Sequence, residues 1–461
     1  MTTDSSQWVH MVGVAGAGMS GIARVLKEQG IKVSGSDLQN NEITKKLTDI
    51  GVEIKQGHSS AYLQEGVDLL VISSAIPEDN VEVQEARRRG IPVLKRGEIL
   101  ARLANASKGI AIAGAHGKTT TTSMLYTVLE ACGLDPTFIV GGEIQGSELN
   151  ARLGQGEYFV VEADESDASF LELRPFISVV TNIENDHLDF YKSFDRIKKA
   201  FEQFLDQVDP DGFALIYGAD QCLQEIQRNL SGRVITYGED SRFDYCLKNW
   251  QVQGMGSSFD VYRHQDFLGK IELLVPGRHN ALNALAAVAV AFELGYSFQS
   301  AAAGLSNFQG AKRRFQVLGT LEGRSMVVDD YAHHPTEIKA TISAAQSLNY
   351  DRVVVVFQPH RYSRTGLLAE QFGACFKEAD LVIISDVYSA GEKPINGVSG
   401  ELIYQMARKV GCNALYIPTL DDIESFLHQE IRDNDLLITM GAGDIWKLGV
   451  KLVNNYSPSK L

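Results

Sequence analysis

Cysteine is scarce in this chain of 461 residues: there are five, Cys132, Cys222, Cys246, Cys375 and Cys412. Their number is odd, and none stands in a Cys-x-x-Cys pair. Neither a disulfide framework nor a zinc site is therefore expected; reduced, buried thiols in a cytoplasmic protein are. Basic charge is also short. Lys and Arg number 43 against 58 Asp and Glu, a net charge of −15 at pH 7. A surface that tracks phosphates needs a basic excess, so neither a nucleic acid nor an anionic membrane is expected as a partner. No apolar run reaches about 18 residues, and the polar stretch Met1 to Gln7 has no basic n-region. Neither a membrane span nor a signal peptide is expected. Short internal repeats and low-complexity segments are missing too. An anionic ligand must then be held by local devices: glycine loops, helix N-termini, metal ions and a few arginines.

The length implies two to four domains at roughly 100–200 residues each, with three as the central expectation. Hydrophobic residues, 44% of the chain, suffice for ordinary cores. Three stretches alternate short apolar runs with helical patterns, the signature of βα units and parallel sheets, so the fold class is α/β. Strands are expected at Val9–Val14, Ile31–Ser36, Asp68–Ser73, Gly109–Ala113, Tyr158–Glu162, Ile177–Thr181, Ser325–Val328, Arg352–Phe357, Leu381–Ile384, Ala414–Ile417 and Leu436–Thr439. Helices are expected at Ile22–Gln29, Val81–Arg89, Thr122–Ala131, Phe194–Phe204 and Asn280–Leu294. The run from about Phe213 to Val275 reads as an antiparallel edge. Boundaries near residues 97 and 312 give domains of 1–97, 98–312 and 313–461.

The sharpest local signal is Ala113-Gly-Ala-His-Gly-Lys-Thr-Thr-Thr121, which follows a strand and opens a helix. Its glycines let backbone N–H groups approach phosphate oxygens, and the helix N-terminus favours their charge. Lys118 would reach the β- and γ-phosphates, and the Thr119 hydroxyl would sit on Mg²⁺. Ile112 stands where the strict phosphate-loop pattern has its first glycine. Two acidic strand ends follow, Val160-Val-Glu-Ala-Asp-Glu-Ser166 and Thr181-Asn-Ile-Glu-Asn-Asp-His187. Ligands of open α/β sheets sit at the carboxyl ends of strands, and a magnesium–nucleotide needs hard donors there. Glu162 and His187 are the candidates; alone, each would read as a turn carboxylate or a capping histidine. Gly13-Val-Ala-Gly-Ala-Gly-Met-Ser-Gly21 resembles a dinucleotide fingerprint, with Asp37 placed 19 residues after Gly18 as a ribose-binding acid. It indicates a phosphate-bearing nucleotide, not which one. Ser73-Ser-Ala-Ile-Pro77 is either a set of diphosphate contacts or an ordinary turn.

Further along come Gly277-Arg-His-Asn280, Lys312-Arg-Arg314, Asp329-Asp-Tyr-Ala-His-His-Pro335 and Gln358-Pro-His-Arg-Tyr-Ser-Arg364. The Asn280 amide can read an adenine edge or cap a helix. Arg314 can neutralise a transferring phosphoryl group or be a solvated linker residue. Arg361 and Arg364 suit a carboxylate or are surface charge. His333 and His334 can be helix-start residues, since adjacent histidines lack metal spacing.

Taken in order, Gly-x-x-Gly-Ala-Gly-Met-Ser-Gly, Gly-x-His-Gly-Lys-Thr-Thr-Thr, Glu-Ala-Asp-Glu-Ser-Asp, Asn-Ile-Glu-x-Asp-His-x-Asp, Gly-x-His-Asn-x-x-Asn, Arg-Arg-Phe and Asp-Asp-Tyr-x-His-His-Pro-Thr-Glu span about residues 8–450. This set resembles the Mur ligase family. The resemblance implies a Rossmann-like N-terminal domain for a UDP-sugar, a central P-loop-like ATPase domain with a mixed sheet, and a Rossmann-like C-terminal domain for the amino acid and part of the ATP. It implies that ATP, UDP-N-acetylmuramate and L-alanine give the amide, ADP and phosphate through an acyl phosphate. The cofactors it implies are ATP and Mg²⁺, two ions that Mn²⁺ can replace; the expected assembly is a monomer or homodimer.

Carried over by motif, the resemblance places ATP at Gly114, Ala115, His116, Gly117, Lys118, Thr119, Thr120, Asn280, Arg314 and Asp330, and metal at Thr119, Glu162 and His187. It places the UDP-sugar at Gly16, Ala17, Gly18, Asp37, His58, Ser73, Ser74 and Ala75, and the alanine and its carboxylate at Tyr331, His333, Arg361 and Arg364. Lys118, Arg314 and His333 are its catalytic candidates, His333 for orienting or deprotonating the amine. Ala15 and Ala115 depart from the usual glycine and threonine. Glu202 stands 15 residues after His187, where other members carry a carbamylated lysine, so carbamylation is not expected. An NAD-dependent oxidoreductase on the Gly13–Gly21 loop, a ligase adding a recycled peptide, and a nucleotide-binding regulator are the rival readings.

Overall fold

A computed structural model describes residues 7–147, 149–321 and 325–456. The chain divides into two compact units. One comprises the chain up to residue 248 with residues 260–271 and 282–308; the other comprises 249–259, 272–281 and the chain from 309 onward. Among the described residues, no helix is long and apolar enough to cross a membrane.

The first unit opens with a five-stranded sheet of β1 (Trp8–Val12), β2 (Lys32–Asp37), β3 (Glu53–Gln56), β4 (Leu69–Ile72) and β5 (Val93–Lys95), in the order β3-β2-β1-β4-β5. Every pairing in it is parallel. β1 stops at Val12, two residues short of the sequence expectation, because Gly13 turns the chain at φ 77°. The following helix spans Ala17–Glu28 and buries Met19, Ile22, Ala23, Val25 and Leu26. It starts five residues before its apolar periodicity does. Its N-cap is Gly16, which offers no side-chain cap, so the N–H groups of the first turn stay open to an anion.

The second sheet has ten strands: β6 (Lys108–Ala113), β7 (Thr137–Ile144), β8 (Leu149–Arg152), β9 (Tyr158–Glu162), β10 (Ile177–Val180), β11 (Phe213–Tyr217), β12 (Val234–Gly238), β13 (Tyr245–Gln253), β14 (Gly256–Arg263) and β15 (Asp266–Leu273). Their order is β15-β14-β13-β12-β11-β10-β6-β9-β7-β8. The stretch from Phe213 is antiparallel only in part. β11 and β12 pair in parallel, because the helix Gln221–Gln227 carries the chain back between them. Antiparallel pairing begins where two-residue turns join β13 to β14 and β14 to β15, since such a turn can only reverse the strand.

The third sheet, in the second unit, has β16 (Gln316–Leu321), β17 (Ser325–Asp330), β18 (Arg352–Phe357), β19 (Leu381–Ile384), β20 (Ala414–Tyr416) and β21 (Asp435–Met440), in the order β16-β17-β21-β18-β19-β20. Only β16, at one edge, runs antiparallel to its neighbour. β18 and β21 are buried on both faces because helices cover both sides, and so read as near-continuous apolar runs, Val353–Phe357 and Leu436–Met440 with only Thr439 polar.

Within the first unit, the two sheets are joined by the hairpin β7–β8, which the sequence reading does not anticipate. The helix Ala17–Glu28 lies on it. A Cβ at Gly21 would stand 3.0 Å from Ile139 Cγ2 and 3.2 Å from Ala151 Cβ, so a side chain there would crowd both. Asn150 donates to Ala17 O at 3.0 Å and Ser20 Oγ at 2.9 Å, and Lys46 pairs with Glu143 at 2.9 Å. Gly21→Val should overpack this seam and cost about 1–3 kcal/mol, read as a lower urea midpoint at unchanged slope. An unchanged midpoint would mean that the helix is not seated on the hairpin.

Candidate active site

The two glycine loops meet across this seam. β6 carries Ile112 fully buried in the core, so its place is a packing position, and the phosphate-loop geometry starts at Gly114 instead. Gly114 has φ 134° and a Cβ there would collide with Thr181 Oγ1; Gly117 has φ 85° and its Cβ would stand 3.0 Å from Asn283 Oδ1. The loop is pinned to the end of β10. Asn182 accepts from His116 N at 2.9 Å and from Ala115 N at 3.2 Å, and Thr181 Oγ1 donates to His116 O at 2.6 Å. The N–H groups of Ala115 and His116 are thereby spent on Asn182. The helix Lys118–Ala131, uncapped at Gly117, presents the next ones at Lys118, Thr119 and Thr120.

Lys118 Nζ donates to Gly114 O at 2.6 Å, to Ala115 O at 3.3 Å and to Glu165 Oε1 at 2.8 Å. Burial works against its charge, but Glu165 and Glu162 outweigh burial and hold its pKa above the ordinary value. Thr119 Oγ1 donates to Glu162 Oε2 at 3.0 Å, and Gly141 N donates to the same oxygen at 2.8 Å. His187 sits at φ 55° with its Nε2 3.6 Å from Glu165 Oε1 and 3.6 Å from Asp186 Oδ2. It occupies an N-cap position, yet its side chain makes no cap bond, so capping does not explain it. Burial lowers its pKa, but the hydrogen bond to Glu165 and the charge of Asp186 prevail and raise it. A hydroxyl, carboxylates and an imidazole form a donor set that fits a hard divalent cation. Glu165 adds a buried oxygen, Oε2, without a hydrogen-bond partner among the described residues.

A cavity of about 320 Å³ joins the two loops: Gly16 to Met19, Ser73 and Ser74 on one side, Lys118, Gly141, Glu162 and Asp164 on the other. Arg96 and Asp164 lie between them, paired at 2.6 Å, with the guanidinium 3.2 Å from where a Gly18 Cβ would be. Burial opposes the Asp164 charge, but Arg96 holds the carboxyl below its usual range. Neither residue stands out in the sequence. Arg96 reads as a domain-boundary charge and Asp164 as one acid among several. Asn283, against the phosphate loop, was signalled by its spacing of three from Asn280 on one helix face.

The remaining UDP-side candidates stand at the carboxyl ends of the first sheet. Asp37 accepts from Ala15 N at 2.9 Å and so shapes the glycine loop itself. His58 Nδ1 meets Glu82 Oε1 at 3.0 Å, and His10 Nε2 meets Glu82 Oε2 at 2.8 Å. Burial raises the Glu82 pKa, but hydrogen bonds from His10 and Ser36 dominate and lower it. Glu82 looks like a surface helix residue in the sequence but is fully buried. Ala75 is exposed beside Ser73 and Ser74.

The second unit gathers its own set. Asn280 donates to Pro276 O at 2.7 Å, which braces the start of its helix. Asp330 accepts from Phe315 N at 2.8 Å and Ala332 N at 2.7 Å; burial pushes its pKa up to about 6. Arg314 lies over the Tyr331 ring at 5.3 Å and 3.5 Å from Glu337. His333 Nδ1 is 3.0 Å from Tyr331 O, so Nδ1 carries the proton and Nε2 is the acceptor. Burial pushes its pKa down to about 3. His360, missed in the sequence, stands edge-on to His333 at 6.0 Å and stacks on Tyr388 at 5.8 Å. Arg361 is exposed with φ 70°, and Arg364 is half-buried.

Comparison with known proteins gives matches over nearly the whole chain. Family descriptions match in chain order: "Mur ligase family, catalytic domain" over residues 8–108, "Mur ligase middle domain" over 112–291 and "Mur ligase, glutamate ligase domain" over 313–443. A UDP-N-acetylmuramate–L-alanine ligase of Syntrophomonas wolfei is 60% identical over 98% of both chains, and one of Pelotomaculum thermopropionicum is 49% identical over 98% of both. Among solved structures, a UDP-N-acetylmuramate-alanine ligase from Thermotoga maritima superposes with a TM-score of 0.82 at 30% identity, covering 97% of this chain and 98% of that one. A murein peptide ligase of Psychrobacter arcticus gives 0.72 at 25% identity, with 97% and 98% covered.

The imidazoles of the second unit make a pH prediction. Burial lowers His279, His333 and His360 from 6.5 to about 4, 3 and 4. Below pH 6.5 the unfolded chain takes up protons that the folded unit refuses until about pH 4 to 3, so stability is intact above pH 6.5 and is lost as pH falls through that window. Thermal melts from pH 7 to 4 should therefore slope less steeply for His360→Gln than for the unmodified chain. Parallel slopes would show that His360 titrates normally.

Proposed function

The chain belongs to the Mur ligase family, and on that premise we propose that it joins L-alanine to UDP-N-acetylmuramate at the expense of ATP, a step of peptidoglycan precursor synthesis. The observation that carries this reading is the shared cavity, with one wall from the Gly16–Met19 loop and the other from Lys118 and Glu162. A diphosphate on the first helix N-terminus and a triphosphate on the second then bring a sugar carboxylate to a γ-phosphoryl group.

The chemistry is set by the leaving group. A carboxylate does not condense with an amine at neutral pH. Its oxygen takes the γ-phosphoryl group to form an acyl phosphate and ADP; the amine nitrogen then bonds to the acyl carbon, its proton departs, and phosphate leaves. Lys118 and the open N–H groups of Thr119 and Thr120 are proposed to hold the phosphates, with Gly114 and Gly117 permitting the close backbone approach. Thr119, Glu162 and His187 are proposed to hold two Mg²⁺ ions, which Mn²⁺ would replace. When bound there, Mg²⁺ would neutralise phosphate charge during the transfer.

Gly16, Ala17, Gly18, Asp37, His58 and Ser73 to Ala75 are proposed for the UDP-sugar, with Arg96 as a further phosphate contact. Asn280, Arg314 and Asp330 are proposed for ATP, and Tyr331, Arg361 and Arg364 for the alanine carboxylate. Neutral His333, with Nε2 free to accept, suits orienting the amine; a pKa of about 3 is too low to store its proton. Domains of 1–97, 98–312 and 313–461 for UDP-sugar, ATP and amino acid complete the proposal.

Phosphate release should require UDP-N-acetylmuramate and L-alanine together, with glycine poorer by the ~1–3 kcal/mol of one methyl group. A peptide preferred over alanine would assign the chain to the peptide-adding branch. Lys118→Ala should lower turnover at least ~10³-fold, the scale of a lost transition-state charge contact. Near-normal turnover would remove Lys118 from the mechanism.

A further inference from the structure

Glu165 is a buried carboxylate, 3% exposed, that the preceding assignments leave without a task. Its backbone is fixed: Tyr191 OH donates to Glu165 O at 2.6 Å, and Ala168 N donates to it at 3.1 Å. Its Oε1 is shared between Lys118 Nζ at 2.8 Å and His187 Nε2 at 3.6 Å. Its Oε2 is buried and has no hydrogen-bond partner among the described residues.

The Lys118 ammonium has three protons, and in this arrangement Gly114 O, Ala115 O and Glu165 Oε1 take all three. The lysine is parked on its own loop. To reach a triphosphate it must give up acceptors, and the charged one, Glu165, is the partner that an anionic phosphate replaces most directly. Glu165 would then be a buried, uncompensated charge with one oxygen already unpaired, a costly state. The nearest group able to bring a new cation is the His187 imidazole.

We propose that Glu165 is a carboxylate ligand of the divalent cation held at His187, masked by Lys118 until nucleotide draws the lysine away. Site assembly is thereby ordered: nucleotide first releases the carboxylate, and the second cation then enters between Glu165 and His187. This rests on the two-cation ligase reading.

The test counts bound Mn²⁺ by electron paramagnetic resonance of the free ion, using the full chain saturated with a non-hydrolysable ATP analogue. The unmodified protein should bind two Mn²⁺. Glu165→Gln and His187→Ala should each keep the Thr119–Glu162 ion, which shows that fold and nucleotide site survive, and weaken the second at least about tenfold. Lys118→Met, which unmasks Glu165, should bind Mn²⁺ even without nucleotide, and adding His187→Ala should abolish that binding. Two ions of unchanged affinity in Glu165→Gln, or no nucleotide-free ion in Lys118→Met, would overturn the proposal and leave the ligase reading standing. A single ion in the unmodified protein would overturn the two-cation reading and this proposal with it.

Discussion

Two uncapped helix N-termini opening on one cavity is the constraint from which the rest of the site follows. One belongs to the helix Ala17–Glu28 of the first sheet and the other to the helix Lys118–Ala131 of the second. Each concentrates unsatisfied N–H groups and the positive end of a helix dipole on a small volume. They face a common space because the first helix is seated on the β7–β8 hairpin, with glycine at residue 21 where a side chain would crowd Ile139 and Ala151. Packing between sheets is thus what opens the two helix N-termini onto one cavity.

That arrangement also explains how so acidic a chain handles so much phosphate. With a net charge of −15, long-range attraction is not available. The positive potential is instead local and guarded. Lys118 is held by Glu165, Arg96 by Asp164, and the metal-type imidazole of His187 by Glu165 and Asp186. Each cation comes with a carboxylate that holds it in place while buried, and a phosphate or a metal ion can replace one member of the pair. In the second unit burial prevails over the neighbouring carboxylates at His333 and His360 and keeps these histidines neutral and available as acceptors.

Much of this could be read along the chain. Apolar runs marked Tyr158–Glu162, Arg352–Phe357, Leu381–Ile384 and the helix Val81–Arg89 to the residue, because core-facing strands and a polar-to-apolar helix pattern carry their own period. Lys118, Thr119, Glu162 and Ser73 stood out by motif and do lie together. The illegible parts share a cause. The hairpin β7–β8 has a half-exposed, glycine-bearing strand with no clean alternation. Glu82, Glu165, Asp164 and Arg96 acquire their roles from partners 22 to 72 residues away, which spacing cannot show. Helix starts at Ala17 and Lys118 precede their apolar stripes because a phosphate-binding turn is built from backbone, not from hydrophobic side chains.

The central claim is that sugar carboxylate and γ-phosphoryl group react directly within this single chamber. Supplying UDP-N-acetylmuramate labelled with ¹⁸O in its carboxylate, together with ATP and L-alanine, tests it by mass analysis of the phosphate released. Transfer of one labelled oxygen into each phosphate is the predicted result. Phosphate released without label would mean that the carboxylate is never phosphorylated, and the shared-chamber account would be wrong.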